Sequence, residues 1–179
     1  MAALHERLVF DTARGEVRDA DRRYLLLRAD VLMGLFDALP EGARAEALQA
    51  FGRSVALHGA DSVRAYAVSI GPVALCAAME EAAASLGWGR WRFDAHNAGA
   101  SPALTLEVGN SPFAAAAGRR AEPVCHAIAG MLEALGQALW QQPVQSVETR
   151  CAAVGGSDPC RFAARPLAAA SEDPRVHPA

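Results

Sequence analysis

Residues 144–166 read VQSVETRCAAVGGSDPCRFAARP, and the way this stretch folds decides how the chain closes. VQSVETRCAAV and CRFAAR both suit strands, and GGSDP between them supplies the glycine, serine, aspartate and proline that favour a tight turn. The expected product is a hairpin carrying Glu148, Cys151 and Cys160. Cys125 stands 23 positions before Glu148 (148 − 125), at the start of a helix expected over 124–140 after Pro123. If that helix packs on the hairpin, three thiolates and a carboxylate converge, a closed four-ligand set of the kind that holds structural zinc. The spacing raises one obstacle. Glu148 and Cys151 are an odd number of positions apart, so a regular strand points them to opposite faces. A bulge, or a strand ending near Arg150, is needed to bring them together. The residues alone leave three readings open: a metal site, a redox pair, or a hairpin whose cysteines are small core hydrophobes.

Upstream of this stretch the pattern is helical in the middle and extended at the edges. Leu8–Phe10 and Glu16–Val17 flank DTARG, a hairpin expectation. A helix is expected from Ala29 to Pro40, and another from Glu41 to about Tyr66, where Leu48, Phe51, Val55 and Val63 recur at helical spacing. A third follows over 73–86, with Pro72 in its first turn. WGRWRFDAH and ALTLEVGN alternate and read as paired strands, and NSPFAAAAGRRAEP reads as a loop or weak helical turn. The order β-β-α-α-α-β-β-α-β-β implies an α+β fold, an antiparallel sheet packed with helices, in one domain over 1–166. A flexible tail is expected over 167–179.

Composition removes several function classes. All seventeen basic residues are arginine, so lysine Schiff-base and P-loop chemistry are absent. A formal net charge of −3 and a pI near 5.9 leave no electrostatic footprint for nucleic acid. No apolar run is long enough to span a bilayer, and the amino terminus lacks the basic and apolar regions of a signal peptide. The expected location is therefore cytoplasmic, with reduced thiols. GxGxxG after a strand, GxSxG and HExxH are all missing, so no nucleotide or flavin site and no catalytic residue is assigned. Asp94 with His96, and Glu80 with Glu81, read as solvated surface. Cys76, inside VALCAAMEE, reads as core, and His126 as a packing or surface residue.

PVCHAIAGMLEAL followed by VQSVETRCAAVGGSDPCRFAARP resembles the 4-vinyl reductase domain family. FDTARGEVRDADRRYLLLRADVLMGLFDAL and NSPFA resemble that family's earlier segments, so the likeness runs nearly to Pro166. The resemblance implies an α+β ligand-binding fold, commonly dimeric, with zinc held by Cys125, Glu148, Cys151 and Cys160. Aromatic-sensing members place a tryptophan shortly before the serine of the middle loop, where this chain has Val108 and Gly109 in LEVGNSPFA. RYLLLRADVLMGL, NSPFA and PVCH are more similar to the branch implicated in bacteriochlorophyll biosynthesis.

The resulting expectation is a zinc-stabilised carrier or accessory factor for a flat hydrophobic ligand. A porphyrin or chlorophyll precursor fits, with pigment-biosynthesis enzymes as partners and a homodimer as the assembly. Candidate walls of the pocket are Trp88, Trp91, Phe93, Leu106, Phe113 and Met131, although aromatic residues also dominate plain cores. The alternatives are a sensor for small aromatic or hydrocarbon effectors acting through a partner, and a vinyl reductase using an external electron donor.

Overall fold

The computed structural model describes residues 4–96, 102–156 and 159–167. A short helix α1 (Leu4–Arg7) leads into a three-stranded antiparallel sheet, β1 (Val9–Asp11), β2 (Glu16–Asp19) and β3 (Arg22–Tyr24), paired in the order β1-β2-β3. Three helices follow: α2 (Ala29–Asp37), α3 (Glu41–Ile70) and α4 (Pro72–Ser85). Proline at the first position of α4 costs nothing there, because the missing N–H would have had no helical partner.

The second sheet is built from β4 (Arg90–His96), β5 (Ala103–Gly109), β6 (Val144–Arg150) and β7 (Cys160–Pro166). Its order is β4-β5-β7-β6 and all its pairings are antiparallel. A turn of helix α5 (Pro112–Ala117) and the long helix α6 (His126–Trp140) lie between β5 and β6. Leu104, Leu106 and Val108 on β5, with Cys160, Phe162 and Ala164 on β7, face inward as the alternation of a half-buried strand dictates. They pack with Ile128, Leu132 and Leu135 of α6 in one core.

Helix α3 crosses α6 at a distance only glycine permits. A Cβ on Gly130 would lie 2.0 Å from the carbonyl oxygen of Gly52, and one on Gly52 would lie 2.6 Å from the carbonyl oxygen of His126. This crossing seats α6 between the sheet on one side and α3 on the other.

The α+β expectation and most element positions agree with the structure. Three do not. The stretch after Arg150 is no strand: residues 152–155 form a helical turn, α7 (Ala152–Gly155), capped by Cys151 and ended by Gly156 at φ 65. Strand β3 and helix α1 escape the sequence reading, since segments of three and four residues carry no periodicity to read. The expected tail lies outside the described residues from position 168 onward.

Candidate functional site

Glu148 sits on β6 with Val144 and Ser146, the positions that face α6, while Val147 and Thr149 point outward. Between Glu148 and Arg150 the pairing slips: Glu148 lies opposite Phe162, but Arg150 already lies opposite Arg161. This is the bulge that the odd spacing demanded, and the strand also ends at Arg150. The carboxylate and the Cys151 thiol thereby reach one side. Cys160 opens β7 on its buried face, opposite Val108. Cys125 caps the start of α6.

Ligand atoms of Cys125, Glu148, Cys151 and Cys160 all lie within 4.8 Å of one another. The Cys125 sulfur is 4.0 Å from that of Cys151 and 3.9 Å from that of Cys160. None of the cysteines is disulfide-bonded, and these separations are about twice a disulfide bond of ~2.05 Å. They are close to the ~3.8 Å between sulfurs that share a tetrahedral metal at ~2.3 Å. The three thiols are buried.

The Cys125 backbone N–H donates to Glu148 Oε2 at 3.0 Å, at the positive end of α6. Among the described residues, Glu148 Oε1 is buried with no hydrogen-bond partner. A buried, unpartnered acceptor costs stability, and here it faces three sulfurs. Burial, then the adjacent Cys151, pushes the Glu148 carboxyl up to about 8. Contact with Cys151 and Cys160, followed by burial, drives the Cys125 thiol far up. The contacts with Cys125 and Cys160 instead pull Cys151 down. Cys160 is pushed up to about 12; its bond with Cys125 acts to lower it, and contact with Cys151 and burial outweigh that. Without a cation the four groups resist ionising together, and a divalent cation reverses that balance. The orphaned oxygen and the sulfur-rich donor set therefore fit a metal ion.

Sequence reasoning missed Ser111, which is buried beside the cluster. Its hydroxyl lies 3.3 Å from the Cys125 sulfur and accepts from the Ala114 N–H at the start of α5. The only signal for it was a serine before a proline, the usual helix entrance. The Ala152 N–H donates to the Cys160 sulfur at 3.3 Å. His126 and Cys76 stay outside the cluster.

A separate cleft of about 930 Å³ opens between the N-terminal sheet and helices α3, α4 and α6. Its apolar wall includes Val55, Val63, Met79, Trp88 and Met131, and its polar wall includes Tyr24, Tyr66 and His58. Of the six expected wall residues, only Trp88 and Met131 line it. Trp91, Leu106 and Phe113 are buried in the core instead. Trp91 and Leu106 occupy inward strand positions, and Phe113 packs edge-on against Trp88 and Phe51. Phe93 lines a different groove, with Cys76, Leu104 and Trp140. The contribution of β3 to the cleft was invisible for the same reason that β3 itself was.

Residues 104–166 match the 4-vinyl reductase domain. That segment holds Glu148, Cys151 and Cys160, with Cys125 inside it at the head of α6. No curated protein matches the chain. Among solved structures, the fold is similar to the phenol-responsive sensory domain of the transcription activator PoxR with phenol. The TM-score is 0.73 at 18% identity, covering 91% of this chain and 86% of that one. A vinyl-4-reductase family protein from Methanocaldococcus jannaschii aligns over 78% of this chain and 91% of its own, at 14% identity and TM-score 0.48. No helix among the described residues is long and apolar enough to cross a membrane.

Proposed function

We propose that this chain is a small-molecule-binding domain that carries a flat hydrophobic ligand, a tetrapyrrole such as a porphyrin or chlorophyll precursor, in the 930 Å³ cleft. A structural zinc ion at Cys125, Glu148, Cys151 and Cys160 supports it. The size and lining of the cleft carry the reading. Small-molecule pockets span roughly 300–1,000 Å³, and a single aromatic ring fills little of a space at the top of that range. Trp88, Met79 and Met131 offer the flat, polarisable surface that a macrocycle stacks on.

Zinc would tie the head of α6 to β6 and β7, which fixes the helix that presents Met131 to the cleft. Four protein ligands leave no position for water, so its part is structural. In this reading residues 1–166 act as one domain in the cytoplasm, in bacteriochlorophyll biosynthesis alongside pigment-biosynthesis enzymes. The chain pairs as a homodimer. Support for pairing comes from the exposed apolar run Leu25, Leu26 and Leu27, with Val31 and Leu35 one helical turn apart on α2.

The second reading, a sensor for small aromatic effectors acting through a partner, shares the fold and differs in ligand size. The third is a vinyl reductase, which needs two electrons and two protons from an added donor. Titrating the purified protein with protoporphyrin and with phenol, followed by Soret absorbance and tryptophan fluorescence, separates them. Saturable Soret shifts at micromolar porphyrin are expected. Saturation by phenol with no response to any tetrapyrrole replaces the carrier with the sensor, and donor-dependent loss of the ligand's vinyl group replaces it with the reductase.

A further inference from the structure

Among the described residues, the polar wall of the cleft contains one cation without a bonded counter-charge. On β3, Arg22 and Tyr24 share a face by the two-residue alternation of a strand, and both are half-buried against the cleft, whereas Arg23 between them is exposed. The other charges nearby are paired. Arg7 grips Asp19 at 2.9 Å through one nitrogen and at 3.2 Å through another, taking both carboxylate oxygens, and also donates to the Tyr66 hydroxyl at 2.6 Å. Arg23 approaches Glu16 at 3.8 Å, and Asp61 pairs with Arg64. Asp21 is exposed at the turn. Arg22 lies opposite Asp19 in the strand pairing, but Arg7 already occupies that carboxylate. Among the described residues Arg22 has no hydrogen bond or ion pair.

A half-buried guanidinium offers five donors in a planar fork that matches a carboxylate. Leaving it without a partner in a partly desolvated wall is unfavourable unless something with the complementary charge enters. Across the cleft from it the walls are Trp88, Met79 and Met131. We infer that the cleft's ligand is amphipathic: an apolar ring system against Trp88, Met79 and Met131, and a carboxylate received by Arg22. This rests on the cleft being the ligand site, and it narrows the ligand class from flat hydrophobes in general to flat hydrophobic acids.

The test uses a matched pair of probes, protoporphyrin and its dimethyl ester, which differ only in whether the side-chain carboxylates are free. Binding to the full chain is followed by the Soret shift. With the acid, the wild-type protein is expected to bind on the order of tenfold more tightly than with the ester, as one charge-assisted hydrogen-bonded pair warrants. Arg22→Gln removes that preference, leaves ester affinity unchanged, and leaves the melting temperature within a degree or so, because no partner inside the protein is lost. Arg22→Lys retains part of the preference. Equal affinity of the wild type for acid and ester, or an equal loss for both in Arg22→Gln, overturns the carboxylate assignment while the cleft reading stands. If neither form binds, the cleft reading itself fails and the assignment falls with it.

Discussion

The two ends of the molecule solve opposite problems. The carboxy-terminal corner, where α6 meets β6 and β7, gathers four potential ligands among buried residues and leaves one carboxylate oxygen unpartnered among the described residues. The amino-terminal half has short strands, a solvent-open cleft and exposed leucines on the segment leading into α2. One end is rigid because donors converge on a point. The other stays open because its three- and four-residue strands cannot bury a core of their own. The contrast teaches that stability and ligand recognition are separable in this fold, linked mainly through α6, which starts at the cysteine cluster and passes the cleft at Met131.

The largest effect should come from breaking the corner. Cys160→Ser or Cys125→Ser is expected to lose about one zinc per chain by elemental analysis and to destabilise by roughly 3–5 kcal/mol, the scale of orphaning buried groups and losing a structural metal. Should those variants fail to fold, a chelator titration of the wild type monitored by thermal melting reads the same linkage. Metal-free protein with an unchanged melting temperature would remove zinc from the account.

Next comes the helix crossing that joins the two ends. Gly130→Ala gains helix propensity of about 1 kcal/mol but places a methyl 2.0 Å from the Gly52 carbonyl. Main-chain atoms cannot step aside as a side chain can, so denaturant unfolding should show a net loss of about 3 kcal/mol. A neutral or stabilising result would mean that α3 and α6 cross less closely.

A smaller effect belongs to the open end. Trp88→Ala should weaken porphyrin binding on the order of tenfold, the worth of one large aromatic wall. Trp140→Ala, in the separate groove with Phe93, should leave affinity unchanged. Equal losses from both would move the ligand out of the cleft.

The smallest concerns pH. The hydrogen bond from Arg7 holds the Asp19 carboxyl below its ordinary value of 3.8. A carboxyl lowered in the folded state contributes stability that is present above its unfolded value and is lost as pH falls through the folded one. Asp19→Asn should therefore cost about 1 kcal/mol at neutral pH and progressively less below pH ~3.8, where the wild type loses the same contribution. A cost that does not change with pH would show that the pair acts through packing alone.

The cluster of Cys125, Glu148, Cys151 and Cys160 was legible in the sequence, obstacle included: an odd spacing across a strand required a bulge, and a bulge is there. The cleft was legible only in outline. Trp91, Leu106 and Phe113 looked like walls because apolar side chains read alike whether they face a cavity or a neighbouring side chain, and burial chose the second. Arg22, Tyr24 and Tyr66 carried no pattern at all.

Element order, the α+β class and the four converging ligands followed from the sequence alone, because periodicity and covalent spacing are local and survive in one dimension. Only the tertiary structure decided which apolar faces meet each other and which are left open, and which arginine of the cleft stands without a bonded counter-charge among the described residues. Those outcomes depend on contacts between segments far apart in the chain, such as Arg7 with Tyr66 and Gly52 with Gly130, whose distances no sequence spacing sets.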